Sequence, residues 1–296
     1  MIAEFAALGA ALCWALGSLF AASATRQLGA IAFTRLRMVM VFAMLLMALA
    51  VSGSSSVAPS DWGLLVLSGI VGIFIGDTAL FLTMSRLGPR RTGILFSSNA
   101  PMTVFLAWWI LGEQMTLTAI GGCALVAAGV FVAIIFGKRR EQLHVWENIQ
   151  GNLWTGVGIG LLAALGQSLG SLMVAPALAK GIDPVTVATI RIGSALVAFY
   201  LARGLFPRQT RCQHAITPVL AMRLFASGFL GMAVGMTLLL YAFANGSIGL
   251  SAALSSTTPV IMIPIIWIVS RERPAMGAWL GAALAVTGSC LIVLYR

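Results

Sequence analysis

The chain reads as a succession of unbroken apolar runs, divided by short breaks rich in glycine, proline or charge. The runs span residues 5–23, 31–51, 62–84, 92–111, 117–136, 153–174, 185–203, 222–243, 248–269 and 275–295. Each approaches the length of about 20 apolar residues with which a helix crosses a bilayer. They are apolar throughout and do not alternate, which argues against transmembrane β-strands. The pattern predicts an all-α integral membrane protein of ten transmembrane helices, with no length left over for a soluble domain.

Two runs carry the same interruption. SSNAP at 97–101 and SSTTP at 255–259 each set four small or polar residues and a proline inside an apolar stretch. Proline has no N–H to offer the carbonyl four residues back, so Pro101 is expected to free the carbonyl of Ser97, and Pro259 that of Ser255. In hydrocarbon such a group must be met by neighbours or by a water-filled cavity. Two readings follow: a broken helix that lines a substrate path, or a kink healed by nearby hydroxyls.

The interruptions belong to a duplication of the whole chain. With an offset near 159, GIVGIFIGDTALFL (69–82) aligns with GFLGMAVGMTLLLY (228–241), matching Gly69 with Gly228, Gly72 with Gly231, Gly76 with Gly235 and Thr78 with Thr237. The register continues through the two proline breaks to match Glu113 with Glu272, Gly122 with Gly281 and Gly129 with Gly288. Earlier, LGSL (16–19) matches LGSL (169–172), and Arg35 can be paired with Arg191. The predicted halves are 1–140, holding helices 1–5, and 141–296, holding helices 6–10. Five helices per half is an odd number, so the second half must enter the membrane inverted. Inverted repeats place a ligand site near the midplane, often at broken helices.

Composition agrees with the pattern: 60% of residues are hydrophobic, 9% are charged, and the mean hydropathy is +1.01. The net charge of +10 does not mark a nucleic-acid partner, because 15 of the 18 Lys and Arg residues lie in or beside the odd-numbered loops, leaving Lys180, Arg191 and Arg296 for the other face. The positive-inside rule then puts those loops in the cytoplasm and both termini outside, in an inner (plasma) membrane. The first run has no basic leader and reads as a retained helix. Cys13, Cys123, Cys212 and Cys290 show no CxxC spacing, so no metal site, cofactor or disulfide framework is expected.

GEQMT (112–116), its counterpart RERPA (271–275), the two broken helices and the five-plus-five repeat resemble the EamA-type drug/metabolite transporter superfamily. The resemblance covers the whole chain. It implies a metabolite carrier working by alternating access, with a central cavity lined by helices 1–4 and 6–9 and with helices 5 and 10 at the periphery. It also implies a small-molecule substrate, an amino acid or a related metabolite that is exported; other metabolites, drug-like cations and lipid precursors are the alternatives. Many members place both termini inside, unlike the charge bias here. In the amino-acid exporter branch an aromatic residue can precede the helix 4 proline, where this chain has SSNA, which weighs against an aromatic substrate.

Candidate binding residues follow from polar groups on helix faces. Trp14 and Ser18 lie four apart, as do Gln167 and Ser171, at matching repeat positions, and are expected to meet across the pseudo-axis; small-residue packing is the competing role. Thr237 and Tyr241 form a stripe on helix 8 opposite Thr78 on helix 3. The breaks add Ser97, Ser98, Asn99, Ser255, Ser256 and Thr257, with Pro101 and Pro259 as hinges. Asp77 lies inside a run opposite Met236 in the repeat. A charge there points to a substrate amine contact or a proton-coupling carboxylate, or else to an ion pair with Arg35, Arg37 or Arg86. Glu113 and Glu272 suit helix N-termini, and Trp108, Trp109 and Trp267 suit the membrane interface.

Other classes fit less well. GQSLG at 166–170 matches a serine-nucleophile pattern, but it lies mid-helix with both histidines, His144 and His214, in loops. No ring of like charge marks a channel. An impermeant maleimide applied to intact cells is expected to leave Cys212, in the loop between helices 7 and 8, unlabelled until the cells are permeabilised; labelling of intact cells would overturn the topology.

Overall fold

A computed structural model describes residues 2–53, 55–112, 116–137, 149–205, 212, 214–245, 254–255 and 257–294, and every regular element among them is a helix. In chain order these are α1 (Ile2–Leu28), α2 (Ala30–Ser52), α3 (59–87), α4 (89–111), α5 (Leu117–Phe136), α6 (Leu153–Ala179), α7 (Pro184–Leu205), α8 (218–245), α9 (described as Thr258–Ser270) and α10 (Met276–Leu294). Among the described residues seven stretches are long and apolar enough to cross a bilayer, and Thr258–Ser270 and Met276–Ile292 are shorter apolar helices. The expected boundary between halves, at 140/141, and Glu113 lie outside the described residues.

Two corners are tighter than the apolar pattern implies. α1 and α2 are joined by Gly29 alone, at φ 84. α3 and α4 meet at Gly88, at φ 81 and ψ 166, with Pro89 directly after it. Glycine reaches these angles without a Cβ clash, and proline suits a first helical position, where its missing N–H costs nothing. Arg26, Arg35, Arg37, Arg90 and Arg91 therefore sit within helices and not in loops.

The two halves interlock crosswise. α1 packs on α8 and α9, while its repeat-mate α6 packs on α3 and α4. α2 and α7 pack on each other, with Met38 and Val41 against Ile192, Ala195 and Phe199. The expectation that α1 and α6 meet is corrected: they are not a packed pair, and neither are α3 and α8. Each first helix serves the other half's third helix instead, because the duplicated glycines are there. A Cβ on Gly170 of α6 would lie 2.9 Å from the Cα of Gly72 on α3, and one on Gly17 of α1 would lie 3.5 Å from the Gly231 nitrogen on α8.

α5 and α10 close the bundle through the other duplicated glycines. A Cβ on Gly122 would stand 2.7 Å from the Gly288 oxygen, and one on Gly281 would stand 2.7 Å from the Gly129 oxygen. Repeat-mates thus pack reciprocally, as a two-fold axis between them requires.

The third helix of each half contains one π-helical turn, Ile70–Ile75 in α3 and Phe229–Val234 in α8, at repeat-equivalent positions. Such a turn disturbs the i→i−4 ladder. Repeated threonines restore part of it: the Thr78 hydroxyl donates to the Phe74 carbonyl, and the Thr237 hydroxyl donates to that of Ala233.

The α5–α10 crossing carries a paired prediction. A Cβ on Gly129 would lie 2.6 Å from the Ala285 nitrogen, whereas one on Gly121 meets nothing within 4 Å. Gly129→Ala should lower stability by about 1–3 kcal/mol, from forced separation of the helices. Gly121→Ala should be neutral or stabilising. Thermal unfolding of the purified variants reads this, and equal shifts would refute the assigned contact.

Candidate functional site

Arg37 and Arg191 are each the eighth residue of their helix, α2 and α7. At about 1.5 Å per residue, both lie roughly 10 Å inside the helix start, and inversion brings them in from opposite faces of the bundle. Glycine makes room for both. A Cβ on Gly231 would lie 3.0 Å from Arg37 Nη2, and one on Gly72 would lie 2.9 Å from Arg191 Nη2. Since Gly72 and Gly231 are repeat-mates, the structural counterpart of Arg191 is Arg37, not Arg35.

Asp77 on α3 faces this pair. Its side chain is buried, and Arg37 Nη1 lies 3.6 Å from its Oδ2. The Arg37 guanidinium also covers the Phe81 ring, 4.9 Å from its centroid. Arg191 is the second cation whose field reaches the Asp77 carboxylate. Of the three ion-pair partners open from sequence, the structure selects Arg37. Position 236 is Met, so the cations are two-fold related and the anion is not. The cluster carries one net positive charge, and the Nε atoms of Arg37 and Arg191 have no hydrogen-bond partner. Arg35 is buried too, and its Nη1 is unbonded.

Trp14 lies beside the cluster, and its Nε1 donates to the Gly231 carbonyl in the π turn of α8 at 2.8 Å. Ser18, one turn on, donates to the Ala15 carbonyl at 2.7 Å and approaches Met262 Sδ at 3.8 Å. Gln167 and Ser171 are half-buried on α6. They do not meet Trp14 and Ser18 as expected, because α6 faces α3. Thr78 and Thr237 are likewise not opposed, and Tyr241 is 47% exposed.

The proline breaks are sealed from within. The Ser97 carbonyl accepts the Ala100 N–H at 3.2 Å, and the Ser255 carbonyl accepts the Thr258 hydroxyl at 2.8 Å. Thr257 donates its hydroxyl to Leu254 at 2.7 Å. Ser98 and Ser255 are buried. Ser168, the serine of the nucleophile-like pattern, donates to the carbonyls of Ala164 and of Asn99, both at 2.9 Å, and so pins α6 to the break in α4. Ser256 lies outside the described residues.

The two ends of the bundle differ. At the basic end a cavity of about 380 Å³ is lined by Thr25, Arg26, Ser85, Arg86 and Gln150 among others. Arg90 donates to the Gly137 carbonyl at the end of α5, where a helix C-terminus favours a cation. At the other end Lys180 and Asp61 form a 2.6 Å ion pair. Sequence reasoning grouped Arg37 with the basic loop ends and offered it as one of three partners for Asp77; the signal that singles it out is an arginine at equal depth in the second helix of each half.

The profile of the EamA-like transporter family matches residues 1–135 and 154–294. No curated protein matches the chain. One solved structure, described as "Crystal structure of protein", superposes with a TM-score of 0.69 at 18% identity, covering 99% of this chain and 96% of its own. At that identity the likeness speaks for the fold.

Thr258→Val, which keeps the shape and removes the hydroxyl, should cost about 1 kcal/mol by removing the donor that Thr258 gives the Ser255 carbonyl. Thr103→Val should cost less, since the Asn99 carbonyl that Thr103 reaches at 2.8 Å also holds the Ser168 hydroxyl. Thermal unfolding decides, and equal losses would show that Thr258 does not repair the break.

Proposed function

Because the chain belongs to the EamA-like transporter family, we propose that it is a secondary transporter exporting small metabolites, amino acids first among them, by alternating access at the Arg37–Asp77–Arg191 cluster. The mixed sign of that cluster carries the reading. An amino acid presents one carboxylate and one ammonium, and a buried site with two cations and one anion complements both. A multiply charged phosphate would leave Asp77 repelled, and a simple cation would meet two arginines.

Half-buried polar groups near the cluster supply contacts for the rest of the substrate: Trp14 and Ser18 on α1, and Gln167 and Ser171 on α6. The breaks at Ser97–Pro101 and Ser255–Pro259 act as hinges about which the halves 1–140 and 141–296 rock. The basic loops face the cytoplasm of the cell's inner membrane and both termini face outward.

Counterflow in proteoliposomes preloaded with mixed amino acids should give saturable, self-competing uptake of labelled members of the pool. Asp77→Asn should abolish or uncouple that uptake while the folded protein remains in the membrane. No uptake of any amino acid by folded protein would refute the substrate class, and unchanged uptake by the variant would remove Asp77 from the site.

A further inference from the structure

The buried Arg37 and the half-buried Arg191 both bear on one carboxylate, and the direct contact, from Arg37 to Asp77, is loose. Charge-assisted hydrogen bonds between such groups close to about 2.7–2.9 Å. The Lys180–Asp61 pair closes to 2.6 Å, whereas Arg37 and Asp77 stand 3.6 Å apart. Arg37 is 6% exposed and Asp77 8%, so bulk water is not there to offset the looseness. The Nε atoms of both arginines remain unbonded. The repeat could have supplied a second carboxylate at position 236 and has methionine instead. A buried site that is short of one negative charge and has unused donors favours an anion as its missing component.

We propose that Arg37 and Arg191 form a carboxylate-binding site, in which Asp77 serves as an internal stand-in that the substrate's carboxylate displaces. The inference rests on the carrier reading above and names the part of the substrate this pair holds. A bound carboxylate brings the cluster from one net positive charge to none. The displaced Asp77 becomes free for an ammonium group on the same ligand. A ligand without a carboxylate gives Asp77 no reason to leave.

Simple monocarboxylates test the site without the amine contact. The full-length purified protein is titrated with propionate, and with its uncharged isostere propionamide, at constant ionic strength, following the thermal unfolding midpoint. Propionate should raise the midpoint saturably, and propionamide should not. Asp77→Asn should lower the half-saturating propionate concentration by about tenfold, the gain expected if the stand-in fills the site about nine-tenths of the time. Arg37→Gln and Arg191→Gln should abolish the effect. Met236→Asp, which adds a carboxylate and leaves no charge stranded, should abolish it too, and this arm holds even if Asp77→Asn fails to fold. The proposal is overturned by propionate that acts on neither the wild type nor Asp77→Asn, by an Asp77→Asn affinity that is unchanged or weaker, or by retained binding in Met236→Asp. Failed amino-acid counterflow alongside tighter propionate binding in Asp77→Asn would sink the amino-acid reading and leave the site standing; the reverse pattern would sink the site alone.

Discussion

A guanidinium buried in a membrane protein needs space to lie in and an anion nearby, and both needs are met here by residues of other helices. Gly231 and Gly72 remove the side chains that would collide with Arg37 and Arg191, and Asp77 supplies the charge. An unpaired arginine at this depth would be costly enough to disfavour the fold. The crosswise packing of α1 on α8 and of α6 on α3 brings the glycine-bearing helices to the axis. The site and the bundle are thus one arrangement.

The second constraint is that hydrocarbon offers no partner for a loose backbone group. Among the described residues the departures from regular helix that recur in both halves are the two π turns and the two proline breaks, and each is repaired nearby. The Trp14 indole and the hydroxyls of Thr78 and Thr237 serve the π-turn helices. The Ala100 amide and the Thr258 hydroxyl serve the breaks. Because these carbonyls are satisfied internally, the broken helices contribute shape more than ligands, and the charged cluster becomes the place where the protein has interactions left to make.

The halves share glycines, prolines and arginines, while the acidic residue belongs to one of them. Packing residues must obey the two-fold because each is one side of a reciprocal contact, as Gly122 with Gly288 and Gly281 with Gly129. Asp77 has no such partner and is free to differ from Met236. The asymmetry of charge lies where symmetry is not needed for closure.

The amino-acid sequence by itself determined the class, the ten helices and their inverted duplication, because run length and repeat register are linear properties of the chain. It marked Asp77 as exceptional and the glycines as duplicated. It left Arg37 as one of three possible partners for Asp77, paired Arg35 with Arg191, and set α1 against α6. Those questions turn on where a helix begins, which a single glycine such as Gly29 decides at φ 84, and on which helix faces which. Only the tertiary structure decided that Arg37, Asp77 and Arg191 share one site. Their meeting depends on crossing helices that lie 40 to 154 positions apart in the chain, and no periodicity within one helix records which face of another it will touch.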